Sequence, residues 1–191
     1  MLQAEVLECP QCGAPLKLTD QSCAFCHSPV ILKKMEDISP KKTEEINKYI
    51  LWYKSYLQNT KGENAELFHA LGLCYLKKEA FGVAASYFEK AIASVPEDGE
   101  SYYYLALAKL NKKRPYRQTL TVIKEIVELL NSALTYYEEG KYYYLLYLVQ
   151  IDFFDKKRLR NGKSADELLK MAIHHELDSF EKMECERFCD L

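Results

Sequence analysis

Two Cys-x-x-Cys pairs, Cys9-Pro-Gln-Cys12 and Cys23-Ala-Phe-Cys26, stand ten residues apart near the start of the chain. No other feature restricts the fold as strongly. A segment of about 30 residues cannot bury enough apolar surface to hold itself together, so it needs a staple. Each pair sets two sulfurs on a tight turn within reach of one ion, and two pairs complete a tetrahedron. Gly13 follows the first pair, where a positive φ lets the backbone turn sharply, and Pro10 stiffens the same knuckle. Leu16 to Leu18 and Val30 to Leu32 have strand composition on either side of the polar Thr19-Asp20-Gln21, which predicts a short hairpin.

Cys23-Ala-Phe-Cys26-His27 taken alone also matches a c-type haem attachment site. Haem attachment requires export, and residues 1 to 10 lack a basic start followed by an apolar run. Haem would also leave Cys9 and Cys12 idle. The paired spacing therefore predicts one structural Zn2+ held by Cys9, Cys12, Cys23 and Cys26, with His27 a bystander. The chain has 7 cysteines, an odd number with four in close pairs, which is metal arithmetic and not a disulfide framework. Reduced thiols point to the cytoplasm. Cys74, Cys185 and Cys189 read as small core residues.

"CPQCGAP" and "CAFCHSPV" resemble the two knuckles of a zinc ribbon, over about residues 5 to 33. Such ribbons serve transcription, translation and adaptor proteins, so the resemblance specifies metal and not task. Glu5, Glu8 and Asp20 balance Lys17, Lys33 and Lys34, so this module lacks a basic face for nucleic acid.

Composition changes after Lys34. Ser39-Pro40 reads as an N-cap and first helical position. Ile46, Tyr49, Ile50, Tyr53 and Leu57 recur at helical spacing, predicting a helix to about Gln58 that Lys61-Gly62 ends. Residues 65 to 98 then place Phe68, Leu71, Gly72 and Tyr75 on one helix and Ala84, Phe88 and Ala91 on a second, closed by Pro96. This 34-residue pattern resembles the tetratricopeptide repeat (TPR). Gly72 and Ala84 are small where two helices would approach, and Phe68, Leu71, Tyr75 and Phe88 fill the space around them.

Two less regular units follow. The first has Tyr102, Leu105, Ala106 and Leu110, then a long helix from about Arg117 to Tyr137. The second has Tyr143, Leu146, Tyr147 and Phe154, then Ala165, Leu168, Leu169 and Ala172, with a capping helix over Leu177 to Phe188. The expected fold is mostly α: a TPR-like solenoid of antiparallel helix pairs behind a small β zinc ribbon. The expected domains are a ribbon over 1–34, a connecting helix over 35–62 and a helical repeat domain over 63–191.

The TPR resemblance implies a protein or peptide partner on the inner surface of the solenoid. His69, Leu73 and Leu76 of the first unit and Tyr103 and Leu107 of the second fall at those positions, and their apolar, aromatic character implies a hydrophobic segment as ligand. The competing expectation is a flanking helix filling that groove. Tyr102-Tyr103-Tyr104 and Tyr142-Tyr143-Tyr144 start two first helices, and three consecutive helical residues span about 200° of surface. Each triplet is therefore expected to have buried and exposed members.

Cations collect in the turns within units, at Lys112, Lys113, Arg114 and Arg117 and again at Lys156, Lys157 and Arg158. Acids collect in the turns between units, at Glu97, Asp98, Glu100, Glu138 and Glu139. One basic and one acidic edge should result, despite a net charge of −2. Helix dipoles are the ordinary explanation; an anionic partner, an acidic protein or RNA, is the functional one. The chain has no glycine-rich phosphate loop, nucleophile elbow or His-Glu-x-x-His, and no apolar run long enough to span a membrane. The reading is a non-enzymatic cytoplasmic protein-interaction adaptor. The alternative is an RNA- or ribonucleoprotein-associated factor using the ribbon and the basic edge.

Overall fold

Each cysteine pair closes its own short turn. Strand β1 (Leu7–Glu8) pairs antiparallel with β2 (Pro15–Leu16), setting Leu7 opposite Leu16 around the first pair. A single bridge between Ser22 and Pro29 does the same around the second. The computed structural model describes residues 7–17, 20–60 and 64–191. Leu18 and Thr19 of the expected hairpin, and Lys61 and Gly62 of the expected helix end, lie outside them. Val30 donates its N–H to the Gln21 carbonyl at 3.1 Å. Among the described residues, the strand pairing and the bridge each enclose one Cys-x-x-Cys pair.

Helix α1 (Met35–Ile38) comes next, with Met35 and Ile38 fully buried. Ser39 ends this helix by donating its N–H to the Met35 carbonyl at 2.7 Å, so Ser39-Pro40 is not the start expected from the sequence. Helix α2 (Thr43–Thr60) begins later, where the Glu45 carboxylate accepts from the Lys42 N–H at 2.7 Å. Helices α3 (Ala65–Lys77) and α4 (Phe81–Ser94) form the first pair. A Cβ placed on Gly72 would lie 2.5 Å from the Phe88 ring, so this position admits only glycine while Phe88 keeps its rotamer.

The chain divides into two compact units, Met1–Ser94 and Val95–Leu191. The first helix pair lies in the same compact unit as the cysteine module. The reason is a set of contacts from α3 back to the preceding segment. His69 Nε2 lies 3.0 Å from the Lys33 carbonyl, Lys77 Nζ donates to the Ser39 carbonyl at 3.0 Å, and α1 and α2 both pack on α3.

The second unit holds α5 (Gly99–Leu110), a 3-10 turn at Pro115–Arg117, α6 (Leu120–Tyr136), and α7 (Gly140–Val149). A π-helical turn at Gln150–Asp155, α8 (Ala165–His174) and α9 (Ser179–Phe188) complete it. Asp98, Thr119, Ser164 and Asp178 cap four of these helices through their side chains. Helix α6 starts after the expected Arg117 because that residue is held in the 3-10 turn and Thr119 takes the cap. Helix α5 packs on α6, α6 on α7, and α7 on α8 and α9.

Tyr142, Tyr143 and Tyr144 are all buried, against the expectation that a triplet must reach solvent on one side. Helix α7 is packed by α6, α8, α9 and the 3-10 turn, so of its residues Tyr147 alone is half-buried and the rest are buried. Gly140 permits this: a Cβ there would sit 2.6 to 2.8 Å from backbone atoms of Ala172, His175 and Leu177.

Gly72→Ala should destabilise the fold by about 1–3 kcal/mol through overpacking against Phe88. Denaturant unfolding checks this, and adding Phe88→Leu should recover part of the loss.

Candidate functional site

The sulfurs of Cys9, Cys12, Cys23 and Cys26 all lie within 4.8 Å of one another. Cys9 and Cys26 are 3.7 Å apart, and so are Cys12 and Cys23. A tetrahedral ion with metal–sulfur bonds of about 2.3 Å places its sulfurs about 3.8 Å apart. The four side chains therefore fit a single metal ion. Cys9 and Cys23 are buried, Cys26 is half-buried and Cys12 is exposed.

Backbone geometry makes the two knuckles equivalent. Cys9 donates its N–H to the Ala14 carbonyl at 2.7 Å, and Gly13 donates to the Cys9 carbonyl at 2.8 Å. Cys23 donates to Ser28 at 2.9 Å, and His27 donates to Cys23 at 2.9 Å. Gly13 has φ +77° and His27 has φ 56°. His27 thus occupies the left-handed position that Gly13 fills in the first knuckle, which gives this residue a backbone role.

The thiols do not share charge evenly. Hydrogen bonds from the Ser28 side chain and backbone pull Cys26 down to about 6. The Ala14 backbone lowers Cys12, but partial desolvation of its sulfur and the three neighbouring thiols outweigh it and push Cys12 up to about 12. Four thiolates this close repel one another, and a bound cation supplies the opposing charge.

Helix α2 fixes the module to the helices of its unit. The Tyr53 hydroxyl accepts from the Leu32 N–H at 3.0 Å and donates to the Val30 carbonyl at 3.1 Å. Tyr49 donates to the Pro29 carbonyl at 2.9 Å, and Gln11 Nε2 to Glu45 at 2.6 Å. Trp52 packs on the small core made by Cys9, Leu16, Cys23 and Val30. The sequence marked Tyr49 and Tyr53 as apolar-face residues; their hydroxyl roles were not visible there.

His69, Leu73, Leu76, Tyr103 and Leu107, expected either on a partner-binding inner surface or under a flanking helix, are all buried. His69 meets the Phe88 ring edge-on at 5.6 Å, and the Tyr103 hydroxyl lies 3.2 Å from Cys185 Sγ on α9. Flanking elements cover these positions: α1 and α2 pack on α3, and α9 packs on α5. The five residues belong to the core.

The basic residues behave differently. Asp152, 1% exposed, accepts from Arg114 at 2.6 Å, from Lys156 at 2.5 Å and from the Tyr116 N–H at 3.0 Å. This buried carboxylate draws the α5–α6 loop and the segment after α7 together. Burial pushes its pKa up, but Arg114, Lys156 and the Tyr116 N–H outweigh that and hold it below the ordinary aspartate value. Lys113, Arg117, Lys157 and Arg158 are exposed around it, as is Lys112. Lys157 also lies over the rings of Phe153 at 4.0 Å and Tyr116 at 5.1 Å. Sequence spacing brought out the cations but not Asp152, which follows an apolar run and carries no local signal.

At the opposite ends of α5 and α7, Lys141 is 2% exposed and its ammonium contacts Glu100, Glu139 at 3.0 Å and Glu181 at 3.5 Å. The starts of α5 and α7 thus meet through Lys141, and the segments at their ends meet through Asp152. The two helices run parallel.

The N-terminal unit thus clusters four cysteines within metal-binding distance of one another, and helices follow them in the chain. Comparison with known family models and with curated proteins gives no match.

His27→Gly should keep one metal per chain and raise stability by up to about 1 kcal/mol, since glycine adopts the left-handed region without strain. Gly13→Ala should lower stability by about 1 kcal/mol, from φ alone, because no atom lies within 4 Å of a Cβ built there. Metal analysis and thermal unfolding read both. Asp152 makes a pH prediction. Its folded pKa is depressed, so its contribution is present above the unfolded value of about 3.9 and is lost as pH falls through the folded value. Asp152→Asn should flatten the stability curve in that acidic window.

Proposed function

We propose that this protein is a non-enzymatic adaptor in which a zinc ribbon is joined to a TPR-like helical domain that binds a protein partner. The observation that carries this reading is the closed four-sulfur site. Catalytic zinc keeps a coordination position open for water or substrate, whereas four cysteine ligands fill the tetrahedron and make the ion structural. Zinc is the metal that a thiolate tetrahedron with this spacing suits best among redox-silent ions.

Support for the TPR-like reading comes from three features. Gly72 and Phe88 interlock in the first pair, α5 and α7 run parallel as first helices of successive units, and short turns join α3 to α4. Among the described residues, no helix is long and apolar enough to cross a membrane. The partner meets outward faces of the helices, because the apolar inner positions named above are buried.

Purified protein should carry about one zinc per chain by elemental analysis, and Cys12→Ser or Cys26→Ser should release it and loosen the N-terminal unit. A folded chain without metal, or one holding iron with visible absorbance, would overturn the zinc assignment. Affinity capture of the full chain with cross-linking mass spectrometry tests the adaptor reading. One protein cross-linked to helical residues in near-equal amount supports it, and capture of none at moderate salt removes it.

A further inference from the structure

The chain carries 26 lysines and arginines against 28 acids, yet cations are concentrated in two short stretches, 111–117 and 156–163. Helix dipoles are the ordinary explanation for cations after helices, but that effect falls off within the last turn. The structure separates the two accounts. Helix α5 has one cation in its last turn, Lys109, and that residue pairs with Glu125 at 2.7 Å. The π-helical turn has none in its last turn. The loop cations lie beyond those ends. Arg117 and Lys163 even stand just ahead of the caps Thr119 and Ser164, at the positive ends of α6 and α8. Positive charge is unfavourable there, and α6 has no acid in its first turn to offset it. Helix electrostatics therefore oppose Arg117 and do not account for the whole set.

Asp152 makes one surface of the two loops. It engages Arg114 and Lys156 and accepts the Tyr116 N–H, so the 3-10 turn is seated on the π-helical turn. π-helical turns of this kind occur frequently at functional sites. Lys113 and Arg117 of the first stretch and Arg158, Arg160 and Lys163 of the second are exposed. Tyr116 stands among them with 49% of its surface open. The Lys157 ammonium lies 5.1 Å from its ring.

We infer that this face of the Val95–Leu191 unit binds the phosphate backbone of a single-stranded nucleic acid, with Tyr116 as a stacking platform for a base. A groove or face of cations with an aromatic ring among them is the arrangement that binds single strands without sequence preference. Protein interfaces, by contrast, deplete charge from their centre and use an apolar core. Here the large apolar side chains exposed within the two stretches are Tyr116 and Leu159 alone, among the described residues. The inference extends beyond the adaptor reading and does not depend on it: a chain with both properties would bring a protein partner to a nucleic acid.

Fluorescence anisotropy of the full, metal-loaded chain tests it, using single-stranded RNA and DNA 20-mers of mixed sequence. With about four phosphates neutralised, log K should fall with log salt at a slope of about −3, roughly a 50-fold loss between 50 and 200 mM. The combined variant Lys113→Glu, Arg117→Glu, Arg158→Glu, Arg160→Glu should weaken binding more than tenfold, with helicity and metal content unchanged. Tyr116→Ala should weaken it several-fold and leave the salt slope alone, which a purely electrostatic surface would not do. The RNA and DNA arms decide which backbone is preferred. Undetectable binding at low salt, or binding indifferent to the charge reversal, overturns the inference. Equal or tighter binding of a polyglutamate peptide would make the face a dock for acidic protein, and sedimentation with anionic vesicles without strand binding would make it a membrane contact. Protein capture by the charge-reversed variant is read separately. Its persistence leaves the adaptor reading standing when the nucleic-acid result fails, and the reverse outcome isolates a failure of the adaptor reading.

Discussion

Mutual repulsion among four clustered thiolates is the constraint on which the N-terminal unit rests. Sulfurs 3.7 Å apart in two pairs cannot all be ionised without a cation between them. Once an ion is bound, both knuckles are fixed, and with them the direction of the chain at residues 29–32. Tyr49 and Tyr53 grip that segment by its backbone carbonyls and N–H. Burial drives the Tyr53 hydroxyl to stay neutral, with its pKa well above the ordinary value, so it keeps the proton it donates to Val30. The segment behind the knuckles is thus tied to α2 through two hydroxyls and to α3 through His69 and the Lys33 carbonyl.

Local patterns made much of this architecture readable in advance. The cysteine spacing identifies the four sulfurs because their chemistry is local to two turns. The helical periods identify α2 to α9, and Gly72 with Phe88 identifies one close approach. Features that depend on distant partners were not readable. Helix α1 has only four residues, too few for a period, and its presence moved the start of α2 from Pro40 to Thr43. The Tyr142 triplet looked half-exposed because sequence cannot say how many neighbours surround a helix; α7 has α6, α8, α9 and the 3-10 turn around it. The five inner-surface residues had the right apolar character for either a ligand or a covering helix, and only tertiary packing distinguishes these. Glu184 is a sharper case. It is buried on α9, pushed up to about 8 chiefly by burial, and reads in sequence as one more solvent-facing acid of a polar helix.

The second unit resolves its charge asymmetry in a symmetrical way. At one end of the parallel helices α5 and α7, a buried lysine collects carboxylates; at the other, a buried aspartate collects cations. Burial alone would lower the pKa of Lys141, and Glu100 and Glu139 outweigh that and raise it. Each buried ion is paired several times over, which is the condition under which burying charge is tolerable. Removing either ion would leave its partners facing one another unneutralised.

The two ends are not equivalent in what they leave over. Lys141 is nearly enclosed, and the acids around it point inward to satisfy it. Asp152 is also enclosed, and of the loop cations it takes Arg114 and Lys156, while Lys113, Arg117, Arg158 and Arg160 are exposed. Like charges crowded in short loops repel, and Arg117 stands ahead of α6, whose first turn holds no acid to offset it. A chain whose net charge is only −2 can therefore present a strongly positive face, directed by where a single aspartate is buried. Such a local field attracts and orients a polyanion during approach, even though the molecule as a whole would repel it weakly.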